Sequence, residues 1–231
     1  MNEQVLEGLE TPEQQLAAAR SRAYGAFAAA IEYPDQELDE LIQSGTLIKG
    51  LRDALAAVDA ELIEGIDWEA LSDRGEGEDD LAVEYTRLFD AGASGPPCPL
   101  YGGLYGGARM KTMEEAVRFY NHFGLSMAEK PRELPDHLST QLEFLHYLTF
   151  REAEALQTEG DADVFRRAQR DFVARHPGRW IPKLCKRLAQ QEAMRFFGEL
   201  MRQLERFLEH ESRYLTQLCG PVPKGSAPTP R

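Results

Sequence analysis

A stripe of leucines with helical spacing, placed just after Pro135, constrains the fold more than any other feature of the sequence. Leu138, Leu142, Leu145 and Leu148 recur every three or four residues, and this spacing places their side chains on one face of an α-helix. Most of the chain has the same period, and no run of alternating apolar and polar residues predicts a strand. The sequence therefore predicts an all-α fold.

Capping residues, prolines and glycines mark the further helix boundaries. Thr11 and Gln14 have the spacing of a capping box, and Pro12 suits the first position of the helix that follows. Thr112 and Glu115 predict a second capping box. We expect one globular helical domain over residues 1–219 and a proline-rich, flexible tail over 220–231. The expected helices cover residues 12–32, 36–43, 46–63, 81–89, 112–123, 135–159, 161–175, 181–190 and 191–218.

Length and local composition argue against several classes of protein. A chain of 231 residues suits one domain, or two small lobes that share a core. It contains no apolar run of the ~20 residues that span a bilayer. Residues 1–15 include four glutamates but no lysine or arginine, unlike a secretory signal. The three cysteines form no CxxC pair and predict neither a disulfide framework nor a zinc site. We therefore expect a cytoplasmic protein.

Acidic residues are concentrated in the first part of the chain. The formal net charge is −13, of which residues 1–90 contribute −16 (22 acids, 6 bases) and residues 91–231 contribute +3 (17 acids, 20 bases). An acidic surface of this size repels nucleic-acid phosphates and favours basic ligands. A surface that only keeps the protein soluble is the alternative explanation. We expect no nucleic acid among the partners.

The least regular segment is the proline-glycine loop, by which we mean residues 91–107. It holds six glycines and three prolines, a composition that neither a regular helix nor an interior strand accepts. A loop of this length in a compact domain is usually functional or disordered. Its leucines and tyrosines are groups that pack, so we expect a packed, partly mobile lid.

Patterns typical of catalysis or metal binding are incomplete. Glu143 and His146 have the Glu-x-x-His spacing of di-iron bundles, which need the motif on two helices, and it occurs once here. Cys98 lies between two prolines with no neighbouring base to lower the pKa of its thiol. The glycines of the loop lack the lysine of a phosphate-binding loop. We therefore expect no metal, no bound cofactor and no catalytic activity.

Two groups of polar residues remain as binding candidates. Asp136 could cap the helix that follows it, or it could join His137 in a groove that accepts the amides and cationic groups of a peptide. A basic cluster could hold an anionic ligand, although we prefer the interpretation of a solvated helical face. The cluster consists of Arg166, Arg167, Arg170, Arg175, Arg179, Lys183, Lys186 and Arg187.

Four segments resemble the TorD/DmsD/NarJ family of redox-enzyme maturation chaperones in their order and spacing. They read EYTRLF at 84–89, PPCPLYGGLY at 96–105, FYNHFGL at 119–125 and PDHLSTQLEFL at 135–145. The loop segment is most similar to the branch that serves type II enzymes of the dimethyl sulfoxide reductase family. Together the segments span about residues 84–150, and the flanking helices agree in character.

This resemblance implies a TorD-like helical chaperone that acts in the cytoplasm. Its partner would be the catalytic subunit of a molybdenum oxidoreductase, bound at its N-terminal twin-arginine signal until bis-molybdopterin guanine dinucleotide is inserted and before export. The protein would be a monomer or a dimer, without stable membrane insertion. A helical adaptor or regulatory protein that binds a folded partner is the alternative. The peptide-binding residues carried over from the family are Tyr85, Phe89, Pro97, Tyr101, Asp136 and His137.

Overall fold

The first capping box forms as the sequence predicts. In the computed structural model, which describes residues 8–77, 79–93, 95–126 and 133–223, Thr11 Oγ1 accepts a hydrogen bond from the Gln14 N–H at 3.2 Å. Gln14 Oε1 accepts one in return from the Thr11 N–H at 3.0 Å. The first helix consequently begins at Pro12.

Helices form most of the described structure, and the described residues form no strand beyond isolated bridges. The predicted all-α class is therefore confirmed. Short 3₁₀ turns cover Ala60–Ile63, Ala70–Ser72 and Gly102–Leu104, and a π-turn covers Thr86–Asp90. The helices are α1 (Pro12–Ala30), α2 (Gln36–Gln43), α3 (Thr46–Val58), α4 (Asp80–Tyr85), α5 (Arg109–His122), α6 (Leu138–Gln157), α7 (Ala162–Arg175), α8 (Pro177–Leu188) and α9 (Arg195–Cys219).

The start of α5 differs from the prediction. The helix begins at Arg109, so Thr112 lies inside its first turn and donates weakly to the Ala108 carbonyl oxygen at 3.5 Å instead of capping. Gly106 and Gly107 have φ of +132° and +112°, a conformation that glycine tolerates and a helix excludes. The chain becomes helical as soon as these glycines end, which leaves Thr112 too late to act as a cap.

The core lies where α1 packs along α6 and α3, and where α9 packs against α7 and α8. The predicted leucine stripe faces it, since Leu138, Leu142, Leu145 and Leu148 are fully buried. Phe207 of α9 lies 4.8 Å from the Tyr24 ring and 5.6 Å from the Phe27 ring of α1. Among the described residues, no helix is both long and apolar enough to cross a lipid bilayer.

A charged network is buried between four helices. Arg20 of α1 donates to Glu211 of α9 at 2.7 Å, to Glu152 of α6 at 2.9 Å and to Gln169 of α7 at 2.6 Å. All four residues are at most 1% exposed. Although burial opposes charging, the carboxylates of Glu211 and Glu152 raise the pKa of Arg20. Each charge is paired, as a buried ion requires.

The end of α9 leads into residues 220–223, whose neighbourhood is fixed by Arg170. Its Nη1 donates to the Cys219 carbonyl oxygen at 2.7 Å and to that of Gly220 at 3.3 Å. Residues 224–231, the rest of the expected tail, lie outside the described part of the chain.

Candidate functional site

The proline-glycine loop is fastened to the start of α6 by backbone hydrogen bonds. The Gly102 N–H donates to the Asp136 carbonyl oxygen at 2.9 Å, and the Leu138 N–H donates to the Leu100 carbonyl oxygen at 2.8 Å. These bonds pair Tyr101 with His137 in an isolated antiparallel bridge. Two segments 36 positions apart in sequence, which the family resemblance singled out separately, thus form one unit.

Asp136 holds the loop from within. Its side chain is fully buried, and Oδ2 accepts a hydrogen bond from the Gly103 N–H at 2.9 Å. A Cβ atom at position 103 would lie only 2.9 Å from that oxygen and 3.0 Å from the Arg109 Cα, so the contact requires glycine. Within the described residues, Asp136 Oδ1 has no hydrogen-bond partner.

The predicted capping role of Asp136 is wrong, because His137 is the N-cap of α6. The loop draws the Asp136 carboxylate toward Gly103, away from the helix end. His137 Nδ1 accepts from the Ser139 N–H at 3.4 Å, which assigns the ring proton to Nε2 in the neutral form. Nε2 lies 3.9 Å from Glu133 Oε2.

His137 is neutral at physiological pH. Burial lowers its pKa to about 4, against the opposing influence of the Glu32 and Asp136 charges. A neutral ring lets Nδ1 keep its role as the acceptor at the helix start. The imidazole therefore caps α6 through Nδ1, and its Nε2 edge faces Glu133.

Tyr101 is the half-exposed member of this unit. Its hydroxyl donates to Glu133 Oε2 at 2.9 Å, and its ring meets the His137 ring edge-on with centroids 5.0 Å apart. The Arg109 guanidinium lies 5.7 Å from the centre of the Tyr101 ring. Burial and the neighbouring Glu133 raise the pKa of Tyr101 to about 12, so the phenol keeps its proton. Pro97 is also half-buried.

Tyr85 and Phe89 come from the end of α4 and the π-turn that follows, and both are buried. Their rings lie 5.1 Å apart, and the Phe89 ring packs edge-on against Phe197 at 5.3 Å. Tyr33, which is 44% exposed, meets the Tyr85 ring at 5.5 Å. The π-turn, a feature often found at functional sites, ends at Asp90.

His146 and Cys98, which the sequence raised as candidates for metal binding and thiol chemistry, are enclosed by other parts of the protein. His146 Nδ1 lies 2.8 Å from the Ser21 carbonyl oxygen, and burial lowers the pKa of this histidine. In the described ranges, no group of three or more His, Cys, Asp or Glu side chains is placed to hold a metal ion. Burial raises the pKa of the Cys98 thiol, although Arg187 and Arg87 oppose the shift.

The basic cluster is only partly the solvated face that the sequence suggested. Arg166 and Arg170 are 6% exposed, and Arg166 donates to Glu152 at 2.8 Å and to Glu13 at 2.5 Å. These acids lie on other helices, so their pairing with the cluster is invisible in local sequence. Lys183, also of the cluster, is exposed and donates to the Tyr105 carbonyl oxygen at 2.8 Å.

Sequence reasoning missed three carboxylates whose charges act on the candidate residues. Glu133 contacts both Tyr101 and His137, while the charges of Glu32 and Asp90 act on Tyr85. The position of Glu133 four residues before His137 was a signal, but no motif marked Glu32 or Asp90. A cavity of about 510 Å³ between α8 and α9, lined by Ile181 and Leu208 among others, contains none of the candidate residues.

Comparison with known proteins gives the family. Residues 46–186 match the family model described as nitrate reductase delta subunit. The perchlorate reductase assembly chaperone protein of Dechloromonas aromatica is 31% identical over 83% of this chain and 87% of its own length. The selenate reductase assembly chaperone protein of Thauera selenatis is 36% identical over 59% of this chain and 75% of its own.

A more distant relative is the chaperone protein TorD of Vibrio parahaemolyticus, 25% identical over 82% of this chain and 89% of its own length. The family model covers more than half of this chain, including the loop and the start of α6. The resemblance of the four sequence segments and the names of these relatives indicate the same family. The chain belongs to the nitrate reductase delta subunit family, the TorD/DmsD/NarJ group of redox-enzyme maturation chaperones.

Proposed function

We propose that this protein is a cytoplasmic, non-enzymatic chaperone that binds the apo catalytic subunit of a molybdoenzyme. It holds that subunit until bis-molybdopterin guanine dinucleotide has been inserted, and it binds no cofactor of its own. Relatives named as assembly chaperones for perchlorate and selenate reductases support the proposal.

The bound segment is the N-terminal twin-arginine signal of the client, so binding also delays its export. Tyr101 and Pro97, both half-exposed, contact the peptide directly. Tyr85 and Phe89 form the aromatic floor beneath that contact. Asp136 and His137, both buried, act as positioning residues that fix the loop on α6.

The observation that carries this assignment is the union of the loop with the start of α6. Backbone bonds and the Tyr101–His137 ring contact join the two motifs, and the joint presents a half-exposed aromatic ring beside the Glu133 carboxylate. A basic, apolar peptide suits such a surface, since aromatic faces and carboxylates both attract cations. The acidic first part of the chain, with a net charge of −16 over residues 1–90, favours the same encounter.

Co-purification from the organism's cells tests the function. The tagged protein is isolated from cells grown with molybdate and from cells grown with tungstate, which blocks formation of the active cofactor. We expect it to retain a molybdoenzyme catalytic subunit, more of it in the tungstate cells, and to lose it when the signal segment is deleted.

Equal capture of the mature, cofactor-loaded subunit would instead favour an adaptor that binds a folded partner. Capture that survives deletion of the signal would move the binding site away from the twin-arginine segment. Tyr101→Ala tests whether Tyr101 contacts the client. Its half-exposed ring can be removed without opening the core.

A further inference from the structure

Two charged residues of the EYTRLF segment, Glu84 and Arg87, form an ion pair at the end of α4. Arg87 donates to the Glu84 carboxylate through Nε at 2.6 Å and through Nη2 at 2.8 Å. This hydrogen bonding lowers the pKa of Glu84 against the opposing effect of burial. The Arg87 side chain is 45% exposed, and pairs of that kind contribute little to stability. A solvated pair is the simple explanation, and the further contacts of both side chains argue against it.

Both side chains also hold the turn between α8 and α9, by which we mean residues 189–194. Glu84 Oε1 accepts the Met194 N–H at 2.9 Å. Arg87 Nη2 donates to the Gln191 carbonyl oxygen at 3.2 Å. The end of α4 is thus tied to a turn that lies more than 100 positions downstream in the sequence.

Two features of this turn favour support from outside it. Glu192 has φ of +44°, a conformation that a residue with a side chain rarely adopts. Met194 is the N-cap residue of α9, and its own side chain makes no capping hydrogen bond. The Glu84 carboxylate supplies negative charge at this helix end, where the helix dipole favours it. Glu84 therefore helps to fix where the 25-residue helix α9 begins.

The start of α9 matters to the proposed peptide site because it carries Phe197. This ring is fully buried and meets the ring of Phe89 at 5.3 Å and that of Tyr85 at 6.0 Å. The π-turn also reaches the proline-glycine loop, since the Leu88 carbonyl oxygen accepts the Cys98 N–H at 2.9 Å. The π-turn therefore connects the start of α9 with the loop.

We propose that Glu84 and Arg87 are positioning residues of the peptide site, which hold the start of α9, and with it Phe197, against Tyr85 and Phe89. This inference rests on the proposed function and deepens it, because it gives a task to the charged residues of a segment whose aromatic residues form the floor. The hydrogen bonds to the turn between α8 and α9 perform this task. The ion pair orients the two side chains for it.

Two variants separate the contacts with the turn from the ion pair. Glu84→Gln loses the charge but keeps an oxygen that can accept the Met194 N–H. The charge swap, Glu84→Arg with Arg87→Glu, keeps two opposite charges but removes the acceptor beside Met194 and the donor beside Gln191. Positioning predicts that the first variant works and the second fails. A role for the ion pair alone predicts the reverse.

The functional readout is capture of the apo catalytic subunit from tungstate-grown cells. We expect Glu84→Gln to capture nearly as much of it as the wild type does. The charge swap should capture roughly fivefold less, because both hydrogen bonds to the turn are lost. Glu154→Ala is the matched control, since it breaks an exposed pair at the same spacing, with Arg151 of α6 at 2.7 Å, and it should capture as the wild type does.

Hydrogen exchange gives a second readout that requires no client. In the charge swap, the amides of Met194, Phe197 and Cys98 should exchange roughly tenfold faster than in the wild type, because local opening becomes easier. In Glu84→Gln and in Glu154→Ala they should exchange nearly as in the wild type. Circular dichroism melts of every variant set a common temperature at which all of them are folded.

Wild-type capture by the charge swap, or capture restored by the swap and lost in Glu84→Gln, would overturn the positioning role. So would unchanged exchange at Met194 and Cys98. If the swap does not fold, Arg87→Ala decides, because it removes only an exposed side chain and its bond to Gln191. Wild-type capture and exchange in that variant would equally overturn the proposal. A wild-type protein that captures no catalytic subunit would refute the proposed function instead, and the exchange rates would still decide whether the two residues hold α9.

Discussion

The Asp136 carboxylate accepts the backbone N–H of Gly103 across 2.9 Å, deep inside the joint between loop and helix. Asp136→Ala leaves that buried N–H without a partner, which costs about 1–3 kcal/mol of unfolding free energy. Asp136→Asn keeps an accepting oxygen and should cost less than about 1 kcal/mol. Urea titrations followed by circular dichroism measure both values.

Peptide affinity should fall in the same order as stability, from the wild type to Asp136→Asn to Asp136→Ala, because Asp136 acts only by positioning the loop. The asparagine variant should bind the client's N-terminal peptide nearly as the wild type does, and the alanine variant more weakly. A salt-dependent loss of affinity in Asp136→Asn would show that the peptide interacts electrostatically with the Asp136 carboxylate. The companion His137→Gln tests whether the imidazole is needed at the helix start.

Hydrogen exchange should divide the proline-glycine loop into two parts. The Gly102 and Gly103 amides donate to Asp136 and should exchange slowly, while the exposed Gly106 and Gly107 should exchange fast. Added client peptide should slow exchange across the loop as a whole. Fast exchange at Gly102 and Gly103 in both states would contradict a packed lid.

Arg20 should be among the costliest residues to truncate. Arg20→Ala leaves Glu211 buried without its guanidinium and removes one of the two arginines paired with Glu152, an effect of about 3–5 kcal/mol. Arg22, two positions further along α1, is exposed, and Arg22→Ala should change the free energy of unfolding by about 0.5 kcal/mol or less. Comparison of the two variants in urea tests the contribution of the buried pairs.

Acid should destabilise the protein partly through His176. Its ring lies 4.4 Å from that of Phe172, both nitrogens lack a hydrogen-bond partner among the described residues, and burial with three nearby arginines lowers its pKa to about 3. Because the folded pKa lies below the unfolded value of 6.5, this histidine favours folding above that value. The stability it contributes is lost as pH falls toward 3.

His176→Leu should therefore flatten the dependence of unfolding free energy on pH. The wild type should lose about 2 kcal/mol through this residue by about pH 5, and the variant should lose none. Both proteins are unfolded in urea at a series of pH values. A constant difference between them across the series would rule out His176 as the titrating group.

Local signals in the sequence predicted most of the helical fold. The box at Thr11, the leucines of α6 and Gly124, which has φ of +75° just beyond α5, all act within one helical turn. The box expected at Thr112 failed because two glycines upstream decide where α5 begins. Helix propensity and capping rules describe a residue and its immediate neighbours. They do not decide between two adjacent signals for where a helix begins.

The candidate site was less predictable because its contacts join distant parts of the chain. The family motifs indicated Tyr101 and His137, yet no pattern indicated that the two rings touch. Asp136 fits the local sequence rule for a helix cap, but its carboxylate accepts the Gly103 N–H of the loop instead. The charge of Glu32 acts on Tyr85 from more than 50 positions upstream, a separation that no local rule spans.

The buried network around Arg20 also affects how this protein is made. Its principal carboxylate, Glu211, lies 191 positions downstream and leaves the ribosome well after α1 has emerged. At roughly 5–20 residues per second, α1 emerges many seconds before Glu211, and during that interval the Arg20 guanidinium lacks this carboxylate. Completion of this part of the core is thereby coupled to the synthesis of α9. Burial of this network is therefore delayed until the chain as far as Glu211 has been synthesised.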